Sequence, residues 1–145
     1  VPLFLFFFAL STGLGSAAHA GEKLAIVGTE TEATAIVQSV LDAALSSDQA
    51  AFDSYTDTRS ILIDLRENRS APSQRLTISS VADAFRDCEL ISLRDSGSGM
   101  TEIQSRCGGQ ANTPASYMYI ISGKIRIFYP FQMFLTVAAP SQGGN

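Results

Sequence analysis

Two cysteines, Cys88 and Cys107, stand with eighteen residues between them, on either side of a Ser-Gly-Ser-Gly run. Thiols in such a pair can ligate a metal, exchange electrons or staple the chain. The spacing is not C-x-x-C, so a thioredoxin-like redox pair has little support. The only histidine, His19, lies in a leading segment expected to be removed. The remaining chain then has no Ser-His-Asp or Cys-His constellation and no His-containing zinc site. Two cysteines without histidine cannot build a standard structural zinc site, and neither a metal nor a cofactor is expected. Acid–base chemistry would fall to carboxylates, tyrosines, arginines, Lys23 or Lys124.

The leading segment is a near-continuous apolar run from Leu3 to Leu10 that softens through Ser11 and Thr12 and closes on Ala18-His19-Ala20. Small residues flanking the last position are what a signal peptidase accepts, so residues 1–20 read as a secretory signal cut between Ala20 and Gly21. A membrane span needs about 20 predominantly apolar residues, and the second half here is small and weakly polar. The product is therefore expected to be secreted or periplasmic, with no membrane association after cleavage. Residues 21–28 read as a lead, 29–136 as a single domain and 137–145 as a disordered tail.

The net charge of −4 falls entirely on the part after residue 20, and its basic residues are scattered singly. Nucleic-acid binding would call for a basic stripe, so it is not expected.

An even cysteine count in an exported chain favours a disulfide. A two-residue hairpin turn at Gly97-Ser98 would set Cys88 directly opposite Cys107, with Cα atoms about 4.5–5.5 Å apart. Upstream, Ala33, Ile36, Val37, Val40, Leu41, Ala44 and Leu45 form one helical stripe, with Thr29 and Glu32 as a capping box. A small-polar break at Ser46-Ser47-Asp48 restarts a short helix through Phe52 to Tyr55. Residues 60–65 alternate as a strand, and the Ser- and charge-rich stretch after it reads as a loop. It contains an Asn68-Arg69-Ser70 acceptor pattern, read here as solvated loop. A third helix runs from Ile78 to Arg86, with Thr77 as its cap.

Strands over 88–94 and 100–107 form the cysteine hairpin, and a second hairpin turns at Ser122-Gly123. Strict alternation from that turn puts Met118, Ile120, Ile125, Ile127 and Tyr129 on one face. Tyr117, Tyr119, Arg126 and Phe128 fall on the other, wetter face, with Arg126 stacked beside Tyr119.

A long amphipathic helix, a short helix after "LSSD", a strand, a third helix and long strands ending in "GKIRIFYPF" resemble the nuclear-transport-factor-2-like superfamily, which includes the snoaL-like polyketide cyclases and ketosteroid isomerases. The chain is similar in particular to small secreted bacterial members with a cysteine after the third helix and another ending the next strand. The resemblance implies an α+β fold in which N-terminal helices pack on a curved, mainly antiparallel sheet as a cone. It implies a pocket for a small apolar ligand, and a homodimer formed through the sheet face carrying Tyr117, Tyr119 and Phe128.

Catalytic members of the family use a pocket carboxylate and a tyrosine or acid, for which Asp64, Glu102 and Tyr55 are the candidates here. Phe85, Met118, Tyr129 and Phe131 are the candidate ligand-lining positions. Each also has a structural reading: Asp64 as an ion-pair partner of Arg66, Glu102 as part of a polar strand, Tyr55 as an edge residue of the core, and the apolar set as core. Three functions stand: non-catalytic binding of an apolar ligand or a partner, a snoaL-like isomerase or cyclase, and an interaction module with a filled cone. The fold alone does not choose among them.

Overall fold

The computed structural model describes residues 23–66, 70 and 72–132. The expected signal with its Ala20–Gly21 cut, Asn68 and the C-terminal tail lie outside the described residues. Helix α1 (Glu32–Leu45) starts at Thr31, whose Oγ1 accepts from Thr34 N while Thr34 Oγ1 accepts from Thr31 N. The capping box is thus Thr31 with Thr34, two residues beyond the expected Thr29 and Glu32. A hydroxyl at the third helical position closes the box as a glutamate would, and Glu32 remains in the first turn, where the helix dipole favours it.

The buried stripe of α1 includes Ile36, Val37, Val40, Leu41 and Ala44 as expected, joined by Thr34 and Ala43, with Ala33 and Leu45 half-buried. Val37, Val40 and Leu41 are fully buried, each contributing about 1.5–3 kcal/mol of apolar burial. Ser47, at φ +57, turns the chain, and Asp48 Oδ1 caps α2 (Gln49–Ser54) by accepting from Ala51 N. Phe52 on α2 reaches the core. At its end, Lys124 Nζ donates to Ser54 O and Ile125 N to Tyr55 O.

Among the described residues the sheet has seven strands in the order β1-β4-β5-β6-β7-β2-β3. They are β1 (Ala25–Ile26), β2 (Ile61–Leu62), β3 (Gln74–Arg75), β4 (Cys88–Gly97), β5 (Met100–Cys107), β6 (Ser116–Ile121) and β7 (Lys124–Tyr129). Most pairings are antiparallel; β1 with β4 and β2 with β7 are parallel. The expected lead therefore supplies an edge strand, tied to α1 where Leu24 N donates to Gln38 Oε1. The strand expected over 60–65 shortens to two residues, because Arg66 N folds back onto Asp64 Oδ1 in an Asx turn. In the expected loop, β3 satisfies the open edge of β2, and Leu76 N continues the pairing to Ser60 O. Helix α3 (Ile78–Ala84) begins at Thr77 as expected and ends two residues earlier than expected.

In the cysteine hairpin the turn residues are Ser98 and Gly99, both at positive φ, rather than Gly97 and Ser98. Bulges between Asp95 and Gly97 and between Leu90 and Ser92 each absorb one residue of β4, so Cys88 still faces Cys107. The second hairpin turns at Ser122-Gly123, but a bulge past Tyr119 leaves Arg126 as the extra residue and moves residues 127–129 to the opposite face. Phe128 pairs with Met118 in the core, while Ile127 and Tyr129 share the outer face with Tyr117 and Tyr119. Arg126 accordingly reaches Asp57 Oδ1 at 3.3 Å instead of stacking beside Tyr119.

The result is α+β, with the helices on one face of a curved sheet. Helix α1 touches β4 and β5 as well as β7 and so lies across the middle of the sheet. Leu93, Ile103, Met118, Ile125 and Phe128 of the sheet meet Val37, Val40 and Leu41 of α1 in a single core with Phe52, Val81 and Phe85.

Candidate functional site

Asp64 sits just past β2, and Arg66 holds it in a fork: Nε donates to Oδ1 at 2.9 Å and Nη2 to Oδ2 at 2.5 Å. These bonds from Arg66 hold the Asp64 carboxyl below the usual carboxylate range, against the opposing effect of its partial burial. A general base working near neutrality needs the opposite shift.

Glu102 lies on β5 between Thr101 and Ile103, which point into the core, so its side chain belongs to the far face of the sheet. There it is 6% exposed, with Arg94 Nη2 at 2.8 Å from Oε2 and Gln104 Nε2 at 2.7 Å from Oε1. Tyr55 is the half-buried C-cap of α2 and lines an open groove of about 390 Å³ with Ser39, Asp42, Ala43, Ser46, Asp48 and Ala51. Among the described residues no hydrogen bond joins any two of Asp64, Glu102 and Tyr55. The sheet separates Glu102 from the core-facing side.

The candidate lining residues also divide. Phe85 and Met118 are packed in the core at 2% and 0% exposure. Tyr129 lies on the outer face, opposite Tyr117, and burial pushes its phenol above the ordinary tyrosine value. Phe131 stands half-buried at the rim, where its ring meets Phe85 edge-on at 5.6 Å between centroids and the Arg66 guanidinium lies 5.3 Å from the ring centre.

Cys88 and Cys107 form a disulfide. Around it Gly108 N donates to Asp87 O and Cys107 N to Thr113 Oγ1, so the staple and these two bonds fix the start of the β5–β6 connection. Among the described residues no group of three or more His, Cys, Asp and Glu could hold a metal, and no helix is long and apolar enough to cross a membrane.

Two further carboxylates, Asp95 and Asp57, carry structural bonds that the sequence pattern did not single out. Asp95 Oδ1 accepts from Gly97 N and Oδ2 from Thr31 Oγ1; these bonds, the one from Thr31 first, lower its pKa. Asp57 is lowered chiefly by the backbone N–H of Arg59, with Arg126 and the Arg59 side chain adding to it. An Asp two residues before Gly, at a hairpin end, was the available signal for Asp95.

No family model matches the chain, and no curated protein matches it. Among solved structures it is similar to an NTF-2-like protein of unknown function from Burkholderia xenovorans LB400. The identity is 13% and the TM-score 0.46, over 68% of this chain and 80% of that one. It is also similar to a putative polyketide cyclase from Bacillus cereus ATCC 10987, with 12% identity and a TM-score of 0.47, over 74% of this chain and 83% of that one.

Proposed function

We propose that this chain is an exported, non-catalytic binding domain whose interior is filled by its own side chains and whose partners bind on the outside. One observation carries the reading. A hollow large enough to admit water leaves its lining atoms exposed, and Val37, Val40, Leu41, Leu93, Ile103, Met118, Ile125 and Phe128, from both walls of the cone, are all at 0% exposure. Phe52 and Phe85, at 2%, occupy the space beside them.

The isomerase reading would need a carboxylate free to take a proton inside the cone. Asp64 is already held by Arg66, and Glu102 lies on the other side of the sheet. Export is supported by the apolar run ending in Ala18-His19-Ala20 together with the disulfide, which persists in oxidising compartments.

Native mass spectrometry of the protein purified from its culture medium or periplasm tests this. The expected species is the chain cut after Ala20, oxidised and bare. A small molecule retained through purification and lost on denaturation, whose release moves the Met118 methyl resonance, would overturn the filled interior.

A further inference from the structure

Three local anomalies meet just past the end of β7. Phe131 adopts φ +52, a left-handed conformation uncommon for a bulky side chain, and its amide is held by Ser116 Oγ at 2.9 Å. The next residue, Gln132, is 1% exposed, yet its Oε1 has no hydrogen-bond partner among the described residues, although Nε2 donates to Pro130 O and the backbone N–H to Ala115 O. Third, the Arg66 guanidinium lies over the Phe131 ring while its fork grips Asp64, only two residues away. Strained backbone and unsatisfied buried acceptors persist where the surroundings enforce them, and such positions cluster at binding sites.

The chemistry of this corner is specific. A planar guanidinium recognises a carboxylate through two parallel N–H···O bonds, and an aromatic ring beside it offers an apolar face. Arg66 and Asp64 keep side-chain exposures of 48% and 33%, so the fork is within reach of solvent, and Phe131 links it to the Phe85–Phe128 pair beneath.

We propose that Arg66 and Phe131 form a rim site for a small aromatic or apolar carboxylate, and that Asp64 fills the guanidinium fork as an internal competitor when the site is empty. The proposal rests on the reading above that ligands bind outside the filled interior. Displacing Asp64 leaves one ion pair exchanged for another, so the free carboxylate competes on its apolar contact with Phe131. Removing the competitor raises the fraction of chains able to bind and tightens the apparent affinity in proportion.

Phenylacetate is the probe, with neutral 2-phenylethanol as its control, titrated by calorimetry and by NMR into the oxidised protein, with thermal melting of each variant to verify folding. Expected are saturable binding of phenylacetate and none of phenylethanol, at least about threefold tighter binding in Asp64→Asn, loss in Arg66→Gln and weakening in Arg66→Lys, which keeps the charge without the fork. No saturable binding, binding unchanged in Arg66→Gln, or no tightening in Asp64→Asn would each overturn the rim site. The Met118 methyl resonance separates the two readings. If it stays in place while phenylacetate fails to bind, only the rim site falls. If phenylacetate moves it, the ligand is inside the cone and the filled interior falls as well.

Discussion

Thr31 Oγ1 donates to Asp95 Oδ2 at 2.7 Å, joining the N-cap of α1 to the far end of β4 across 64 residues of sequence. The same hydroxyl oxygen accepts from Thr34 N, and Asp95 Oδ1 accepts from Gly97 N beside the β4–β5 turn. One carboxylate therefore fixes the start of the helix and the end of the hairpin together. Asp95→Ala leaves the Thr31 hydroxyl and the Gly97 amide without this acceptor and is expected to cost about 1–3 kcal/mol. Asp95→Asn, which keeps one oxygen, is expected to cost less. Urea unfolding of the two variants measures both.

Asp57, Asp64 and Asp95 are all held below the ordinary carboxylate value of 3.8 by hydrogen bonds and arginines. The unfolded chain therefore binds more protons than the native one as pH falls through that value. Their contribution is complete above the unfolded pKa and disappears as pH drops through the lower native values. Stability is expected to fall below about pH 5 and to keep falling toward pH 2, less steeply in high salt because the groups are partly exposed. Urea midpoints from pH 7 to 2.5 measure the loss, and replacing all three by Asn is expected to flatten it.

Gly99 cannot carry a side chain. A Cβ there would stand 2.6 Å from Ile120 O, and Ile120 N donates to Gly99 O, so the turn is pressed against β6. Gly99→Ala adds this backbone collision to the strain of φ +81, whereas Gly97→Ala, at φ +90, meets open space. The expected loss is about 1 kcal/mol for Gly97→Ala and clearly more for Gly99→Ala, read as paired thermal shifts.

Thr101 is completely buried on the core side of β5, and its Oγ1 has no hydrogen-bond partner among the described residues. Replacing that hydroxyl with a methyl removes a desolvated polar group at almost constant shape. Thr101→Val is expected to stabilise the protein by about 1 kcal/mol. A loss of stability in the same unfolding assay would mean that the hydroxyl does have a partner.

The disulfide closes the ends of β4 and β5, and reducing it returns conformational freedom to the unfolded chain. A cross-link of this separation is worth about 3 kcal/mol in the chain-entropy model. Melting with and without reductant, and of Cys88→Ser with Cys107→Ser, is expected to show equal losses of that order.

The helices were legible in the sequence because their period is local, although the cap of α1 is Thr31 rather than Thr29. Thr77 and the stripe through Val37 and Leu41 needed no distant partner to be read. Register was not local. The expected turn at Gly97-Ser98 lies one residue early, yet it paired the right cysteines because two bulges offset that shift, so a correct contact came from an incorrect path. No such offset rescued Phe128, which one bulge at Arg126 moved from the outer face into the core. The candidate site suffered likewise. Asp64 with Arg66 was visible as a neighbour pair, whereas the stacking of Arg66 on Phe131 and the bond from Thr31 to Asp95 join segments about 64 residues apart, which no local pattern encodes.

The proposed filled interior is tested most directly at Met118, which lies at 0% exposure on β6, the central strand of the sheet. With methionine methyl groups labelled with carbon-13, toluene and naphthalene are titrated into the oxidised protein while the Met118 resonance is tracked against that of half-buried Met100. The account predicts that Met118 stays unmoved up to the solubility limit of both probes. A saturable shift of Met118 would show a pocket inside the cone and contradict it.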